Sequence, residues 1–205
     1  MTLKDLDTYV FIDVSNIRAA CLSSCGFRID FIRLLKYLKN KYPRLKSVYY
    51  YEGIAENDLK KRDYHRMLDS EGYTIKSLER KSYTDRAVFK RFKCKKCGTD
   101  NRVQVLPKVV KMKSNVDVYL ATDMVQLALS MRKPVHLVLM SCDGDYAEAI
   151  KTVATRRNIR ITVMATPAVK SPKRNTLSTR LKVLSKELPG QYKLFNLEDI
   201  RDEIS

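Results

Sequence analysis

Short apolar runs alternate with helical periodicities from one end of the chain to the other, the pattern of parallel strands joined by crossover helices. Thr8 to Val14 is an apolar run of the kind expected of a strand buried on both faces. Further strands are predicted at Ser47 to Tyr51, Tyr73 to Leu78, His136 to Met140 and Ile159 to Ala165. Between them, Asp30 is placed to cap a helix that carries Ile32, Leu34, Leu35 and Leu38 on its apolar side and that Pro43 stops. Asn57 to Glu71 reads as a second helix closed by Gly72. From Asn115 to Met131, the residues Val116, Leu120, Met124, Leu127 and Met131 recur at helical spacing. Another helix is predicted from about Asp145 to Arg157.

Residues 80–112 break this rhythm. Apolar and basic residues alternate there around Cys94-Lys95-Lys96-Cys97, which predicts a β-ribbon with the cysteines at its tip. The ribbon reads as an insertion within a single domain spanning residues 1–205. After the last predicted strand comes a basic loop containing Pro and Ser, then a short helix, with LEDIRDEIS closing the domain.

Composition narrows the function classes. With 44% hydrophobic and 31% charged residues the chain is globular, and nowhere do 18 apolar residues run together as a membrane span requires. The N-terminal apolar run is too short and wrongly flanked for a signal peptide, so a cytoplasmic location with no membrane partner is expected. A net charge of +17 favours a polyanionic partner such as RNA over a small acidic molecule. The five cysteines point to free thiols or a metal site, and the two histidines leave chemistry based on a histidine cluster poorly served. No Gly-rich phosphate cradle of the GxGxxG or GxxxxGK[ST] type is present.

The candidate chemistry is carried by aspartates. Asp13 ends the first strand, and Asp143 and Asp145 follow the fourth in MSCDGDY. Ligands of open parallel sheets bind outside the carboxyl ends of the strands, where strand order reverses. Asp117, in the first turn of the 115–131 helix, would add a fourth carboxylate. Four such groups in one crevice remain ionised only if a hard cation offsets their repulsion, which predicts magnesium or manganese bound by Asp13, Asp117, Asp143 and Asp145. Each aspartate taken singly also suits a helix cap. Asn16 is placed to orient a water or a phosphate oxygen, while Asp123, about 9 Å further along the helix than Asp117, is expected to have a supporting role. Other acidic folds fit less well. A phosphatase of the haloacid-dehalogenase type needs Asp at position 15, where Ser15 stands. An adhesion site of the DxSxS type needs Ser at 17, which is Ile17, and a toprim domain needs Glu in place of Asp13.

The segments FIDVSN, SNVDVYLATDM and LMSCDGDYAEAI, in this order and spacing, resemble the NYN domain of the PIN-like superfamily, from Tyr9 to about Ile200. The resemblance implies a PIN-like three-layer α/β sandwich with a mainly parallel sheet of order 3-2-1-4-5. It also implies a magnesium- or manganese-dependent endoribonuclease leaving a 5′-phosphate and a 3′-hydroxyl. On this alignment Asp13, Asp117, Asp143 and Asp145 are the acidic site positions, with Asn16 beside them. Val14, Ser15, Ser114, Asn115 and Cys142 depart from the family pattern without removing a carboxylate. An RNA-binding module that keeps this fold without turnover is the alternative.

Cys94 and Cys97 have the spacing of half a zinc ribbon. Completion would come from Cys21 and Cys25, or from the same pair in a second copy, giving a zinc-bridged homodimer; free thiols are the other reading. Substrate contacts are expected from Ser15, Asn16, Lys113, Arg91, Lys93, Lys173 and Arg174, with Tyr83, Phe89 or Phe92 stacking on unpaired bases. Tyr49 and Tyr51, alternating on a strand, are expected to share one buried face.

Overall fold

The computed structural model describes residues 2–107, 109–167 and 177–205, and for Asp85 and Lys111 the backbone only. Its core is a parallel sheet of six strands. In chain order these are β1 (Asp7–Asp13), β2 (Leu45–Ile54), β3 (Tyr73–Glu79), β8 (Val135–Met140), β9 (Ile159–Ala165) and β10 (Tyr192–Asn196). Their spatial order is β10-β9-β8-β1-β2-β3, so the five expected strands lie in the expected order. The sixth was not anticipated: in YKLFN only Tyr192 is buried, and this short outer strand lacks the apolar run that marks central ones. Every side chain of β8 is buried, as a strand covered on both faces requires.

Helices cover both faces, giving the three-layer sandwich. On one side lie α1 (Val14–Ala20), α2 (Phe31–Lys41), α3 (Leu59–Glu71) and the short α7 (Arg201–Ile204). On the other lie α4 (Val116–Ser130), α5 (Ala147–Ala154) and α6 (Thr179–Glu187). Asp30 caps α2 as expected, its Oδ1 accepting from the amides of Ile32 and Arg33 at 2.8 and 3.1 Å. Helix α1 was missed because it follows β1 without a loop. Asp13 is at once the last strand residue and the N-cap, and Val14, Ser15 and Asn16 are weak helix formers. In α4 the buried stripe is Val116, Leu120, Met124 and Ala128, with Leu127 and Met131 at its margin.

β2 shows how the two faces differ. Tyr51 is buried towards α4, where its hydroxyl donates to Asp123 at 2.7 Å, but Tyr49 is only half-buried. Tyr50 is fully buried on the opposite face because α2 covers it, Phe31 packing edge-on at 5.1 Å. Beside it lies buried Glu52, which accepts from Lys61 at 2.7 Å, Arg18 at 3.0 Å and the Tyr50 hydroxyl at 3.3 Å, and lies 2.9 Å from His65 Nε2. Arg18 also donates to Tyr50 and lies over the Phe31 ring. α1, α3 and β2 are thus joined through one carboxylate.

Residues 81–113 form two antiparallel pairs end to end. β4 (Lys81–Asp85) pairs with β7 (Val109–Lys113), and β5 (Val88–Lys93) with β6 (Asp100–Leu106). Cys94 and Cys97 lie in the turn between β5 and β6, where all side chains but the half-buried Cys94 are exposed.

Burial alone would push the Glu52 carboxyl up, but hydrogen bonds from His65 and Lys61 and the charges of Arg18 and Lys61 outweigh it and hold it at about 2. Its folded value lies below the unfolded one, so its contribution is present above about pH 4.5 and is lost as pH falls towards 2. Glu52→Gln is expected to lower unfolding free energy by about 2 kcal/mol. That is less than a fully buried pair costs, since Arg18 and Lys61 are each about a third exposed. Urea denaturation at pH 7 measures the loss, and a series down to pH 3 should show a shallower acid decline in the variant than in the parent.

Candidate active site

Strand order reverses between β1 and β8, which puts the carboxyl ends of those two strands at the switch point. Asp13 closes β1 there, and SCDGDY follows β8. Asp13 Oδ1 accepts from the Asn16 amide at 3.2 Å, the N-cap bond of α1. Its Oδ2 accepts from the Tyr146 hydroxyl at 3.1 Å and lies 3.4 Å from Ser141 Oγ. Ser141 Oγ also accepts from the Asp143 amide at 3.1 Å, so one hydroxyl ties Asp13 to the loop that carries Asp143. Asp143 caps the turn 144–146 through the Asp145 amide at 3.0 Å.

This loop is fixed from two further directions. Asn16 Oδ1 accepts from the Cys142 amide at 2.8 Å, so its side-chain oxygen holds the loop. The Ser178 amide donates to the Cys142 carbonyl at 3.0 Å, which docks the start of α6 on the same loop. Gly144 packs so tightly that a Cβ there would collide with Ser178 Oγ. Cys142, where glycine is usual in the motif, turns its thiol to the buried Thr166, 3.3 Å from Oγ1, and burial pushes that thiol up. It fills core space and does not point a sulfur at the carboxylates.

Electrostatics single out Asp13. Burial raises its pKa, the Asn16 amide and the Tyr146 and Ser141 hydroxyls act against that, the Asp143 charge adds to the rise, and the outcome is above the ordinary value. Tyr146 is itself buried, and Asp13, Asp117 and Asp143 together raise its phenol further, so it stays a neutral donor. These three carboxylates therefore surround one phenol. Asp117 stands exposed in the first turn of α4, with no hydrogen bond or ion pair to another described residue. Asp145 is different: its side chain is 80% exposed and lies 3.6 Å from Arg180 Nη1. Asp123 is held by Tyr51 and by Lys76 at 3.5 Å and lines a separate cleft of about 350 Å³ with Phe11 and Tyr49.

Ser15 is exposed in the first turn of α1, Lys113 ends β7, and Arg91 and Lys93 lie exposed on β5. Lys173 and Arg174 lie outside the described residues. Neither histidine is at the crevice. His136 is buried on β8 at 2.8 Å from Thr162 Oγ1, with its pKa lowered to about 4 by burial, and His65 is engaged with Glu52. The hydroxyls of Ser141 and Tyr146 are the residues that sequence reasoning missed. Both lie inside the MSCDGDY motif, so their positions were in view, but their aim at Asp13 depends on strand pairing.

The donors at the crevice are all hard oxygens, a set that suits magnesium or manganese and excludes a thiophilic ion. Among the described residues no group of three or more His, Cys, Asp or Glu side chains is arranged to hold an ion alone. Magnesium commonly takes only one or two protein carboxylates and completes its octahedron with water and substrate phosphate, which the Asp13–Asp143 pair fits.

The family model for the NYN domain matches residues 7–182. The chain belongs to the NYN domain family, and with it to the PIN-like superfamily of nuclease folds. Among solved structures it is similar to a protein of unknown function from Vibrio parahaemolyticus RIMD 2210633, at 18% identity and a TM-score of 0.57 over 93% of each chain. That likeness bears on the fold alone. No curated protein matches the chain.

Asp13→Asn removes a disfavoured charge while keeping a cap, since Asn also accepts from the α1 amides. In metal-free buffer at pH 7 the variant is expected to be more stable than the parent, the direction set by the raised Asp13 pKa. Manganese at 100 times its dissociation constant should stabilise the parent by about 2.7 kcal/mol and leave the variant unchanged. Chemical denaturation with and without the ion, after chelator treatment, measures both.

Proposed function

We propose that the chain is a metal-dependent endoribonuclease that hydrolyses RNA phosphodiester bonds in the crevice between β1 and β8. The observation that carries this reading is Asp13: a carboxylate at the end of the central strand, raised by burial and by Asp143, with hydroxyl and amide donors around it and, among the described residues, no cationic side chain paired with it. A sheet that needed only a helix cap here would be served as well by Ser or Asn. Asp13 and Asp143 would hold magnesium or manganese, with Asp117 facing them and Asp145 at the rim. The bound ion would supply an activated water and stabilise charge on the leaving oxygen.

The chain's own groups do the rest. Tyr146 and Ser141 fix the orientation of Asp13, and Asn16 and Ser178 fix the loop that presents Asp143. Ser15 and the N-terminus of α1 face incoming phosphate. The ribbon attracts the RNA backbone through Arg91, Lys93 and Lys113, and exposed Phe89, Phe92 and Tyr83 offer faces for unpaired bases. Lys173 and Arg174 extend the same basic surface in sequence. As the family resemblance implies, the activated water would break the P–O3′ bond, the 3′ oxygen leaving as a hydroxyl and the phosphate staying on the 5′ side.

A non-catalytic RNA-binding module is favoured by one feature: Asp145 is already set against Arg180, and no three-donor group stands among the described residues. Labelled single-stranded RNA incubated with magnesium or manganese separates the two. Internal cleavage is expected, with losses on the order of 100-fold or more for Asp13→Asn and Asp143→Asn. Tyr146→Phe, which keeps the carboxylates but removes a hydrogen bond orienting one of them, should cost about 10–100-fold. Cleavage that survives both aspartate substitutions would refute the site, and binding without cleavage in either metal would establish the module.

A further inference from the structure

The turn between β5 and β6 is built as half of a metal site. The Cys94 amide donates to the Thr99 carbonyl at 2.9 Å, and the Gly98 amide donates back to the Cys94 carbonyl at 2.9 Å. Gly98 adopts φ +71°, a left-handed conformation that a side chain would strain. Cys97 Sγ lies 3.2 Å from Thr99 Oγ1, and Cys94 also hydrogen-bonds to it. These contacts hold the Cys97 thiol below its ordinary value, the direction that favours a thiolate.

Among the described residues nothing else completes a tetrahedron. Cys21 and Cys142 are buried and Cys25 is half-buried, and all three neighbour one another at the core, so they do not join the ribbon pair. Both histidines are buried. Among the described residues no third Cys, His, Asp or Glu stands with Cys94 and Cys97 in an ion-holding arrangement, Asp100 included. A structural zinc takes four ligands, most often thiolates or imidazoles. The tip itself, with exposed Lys95 and Lys96 between the cysteines, stands at the far end of the ribbon with solvent around it.

We propose that Cys94 and Cys97 bind zinc together with the same two cysteines of a second copy of this chain, tip to tip about a two-fold axis. A two-fold operator through the ion presents two thiolates from each side, the arrangement that tetrahedral coordination requires. Charge supports the second copy as the occupant. A zinc held by four thiolates carries a net charge of −2, and Lys95 and Lys96 from both tips bring four positive charges beside it. Without the ion, the same lysines would repel each other across the tips. Each thiol releases its proton to solvent as it binds, so assembly strengthens as pH rises towards the thiol range.

The test uses the full chain, purified under reductant without chelator, with zinc measured by plasma mass spectrometry and molar mass by light scattering. The expected result is about one zinc for every two chains and a mass about twice 23.8 kDa. Chelator should give zinc-free monomer, and added zinc should restore the dimer. Cys97→Ser, at an exposed position that supports no core contact, should be a zinc-free monomer, whereas Cys25→Ser should keep both metal and dimer. A zinc-bound monomer, a zinc-free chain, a dimer that survives chelation, or loss of zinc in Cys25→Ser would each overturn the proposal. These readouts do not involve cleavage, so they stand or fall apart from the nuclease reading.

Discussion

A negative charge that the fold itself disfavours lies at the carboxyl end of the central strand. Asp13 sits between two covered faces of a parallel sheet, next to Asp143, and among the described residues its oxygens are met by neutral donors alone. A buried carboxylate without a cation costs free energy unless it gives up its charge or acquires a partner. Around it, Ser141, Tyr146, Asn16, Gly144 and Ser178 are arranged to keep the carboxylate and its loop in one geometry. That investment in position, with no cation among the described residues to offset the charge, is what the proposed ion site would need.

Glu52 provides the internal contrast. It lies one residue beyond Tyr51, the β2 residue that pairs with Asp13 in the sheet, and it is more deeply buried. Yet the fold surrounds it with Arg18, Lys61 and His65 and thereby lowers its pKa, whereas Asp13 is raised. The same strand ends can therefore supply cations where a carboxylate has a structural role. Arg18 even belongs to α1, the helix that Asp13 caps, and turns to Glu52 across the sheet's other face. Among the described residues, the lack of a cation at Asp13 is thus a property of the site and not of the neighbourhood.

Much of this could be read from the chain. β1, β8 and β9 announce themselves as apolar runs because both their faces are covered, and Asp13 and Asp143 are conspicuous as charges at the ends of such runs. The α4 stripe and the Asp30 cap follow from local periodicity and local hydrogen bonding. What could not be read depends on contacts between distant segments. Tyr50 is buried because α2 covers its face of β2. β10 is short and amphipathic, and only its pairing with β9 makes it a strand. Arg180 lies 35 positions after Asp145, and nothing in either segment announces that α6 begins against the DGD loop. The Cys21 and Cys25 pair was a candidate to complete the ribbon site in sequence, but it lies at the core and the ribbon cysteines at the end of an arm.

The ribbon and the crevice are also physically interdependent. Residues 80–113 hold twelve basic and two acidic residues, ten of the chain's +17. At its base the Arg80 amide donates to the Ile54 carbonyl at 2.7 Å, and Ser114 packs against Gly53 so closely that a Cβ there would collide with its hydroxyl. The ribbon is thus clamped to the end of β2, the strand next to Asp13, and its second leg leads within a few residues to Asp117. A cluster of carboxylates repels a polyanion, and a basic arm attracts one; each alone would be a poor device for handling RNA. On the proposed reading, the arm, rooted at the same end of the sheet, would raise the local concentration of phosphate where the aspartates would otherwise exclude it, and the aspartates would keep their affinity for a cation because the arm's charges stand on the ribbon and not among them.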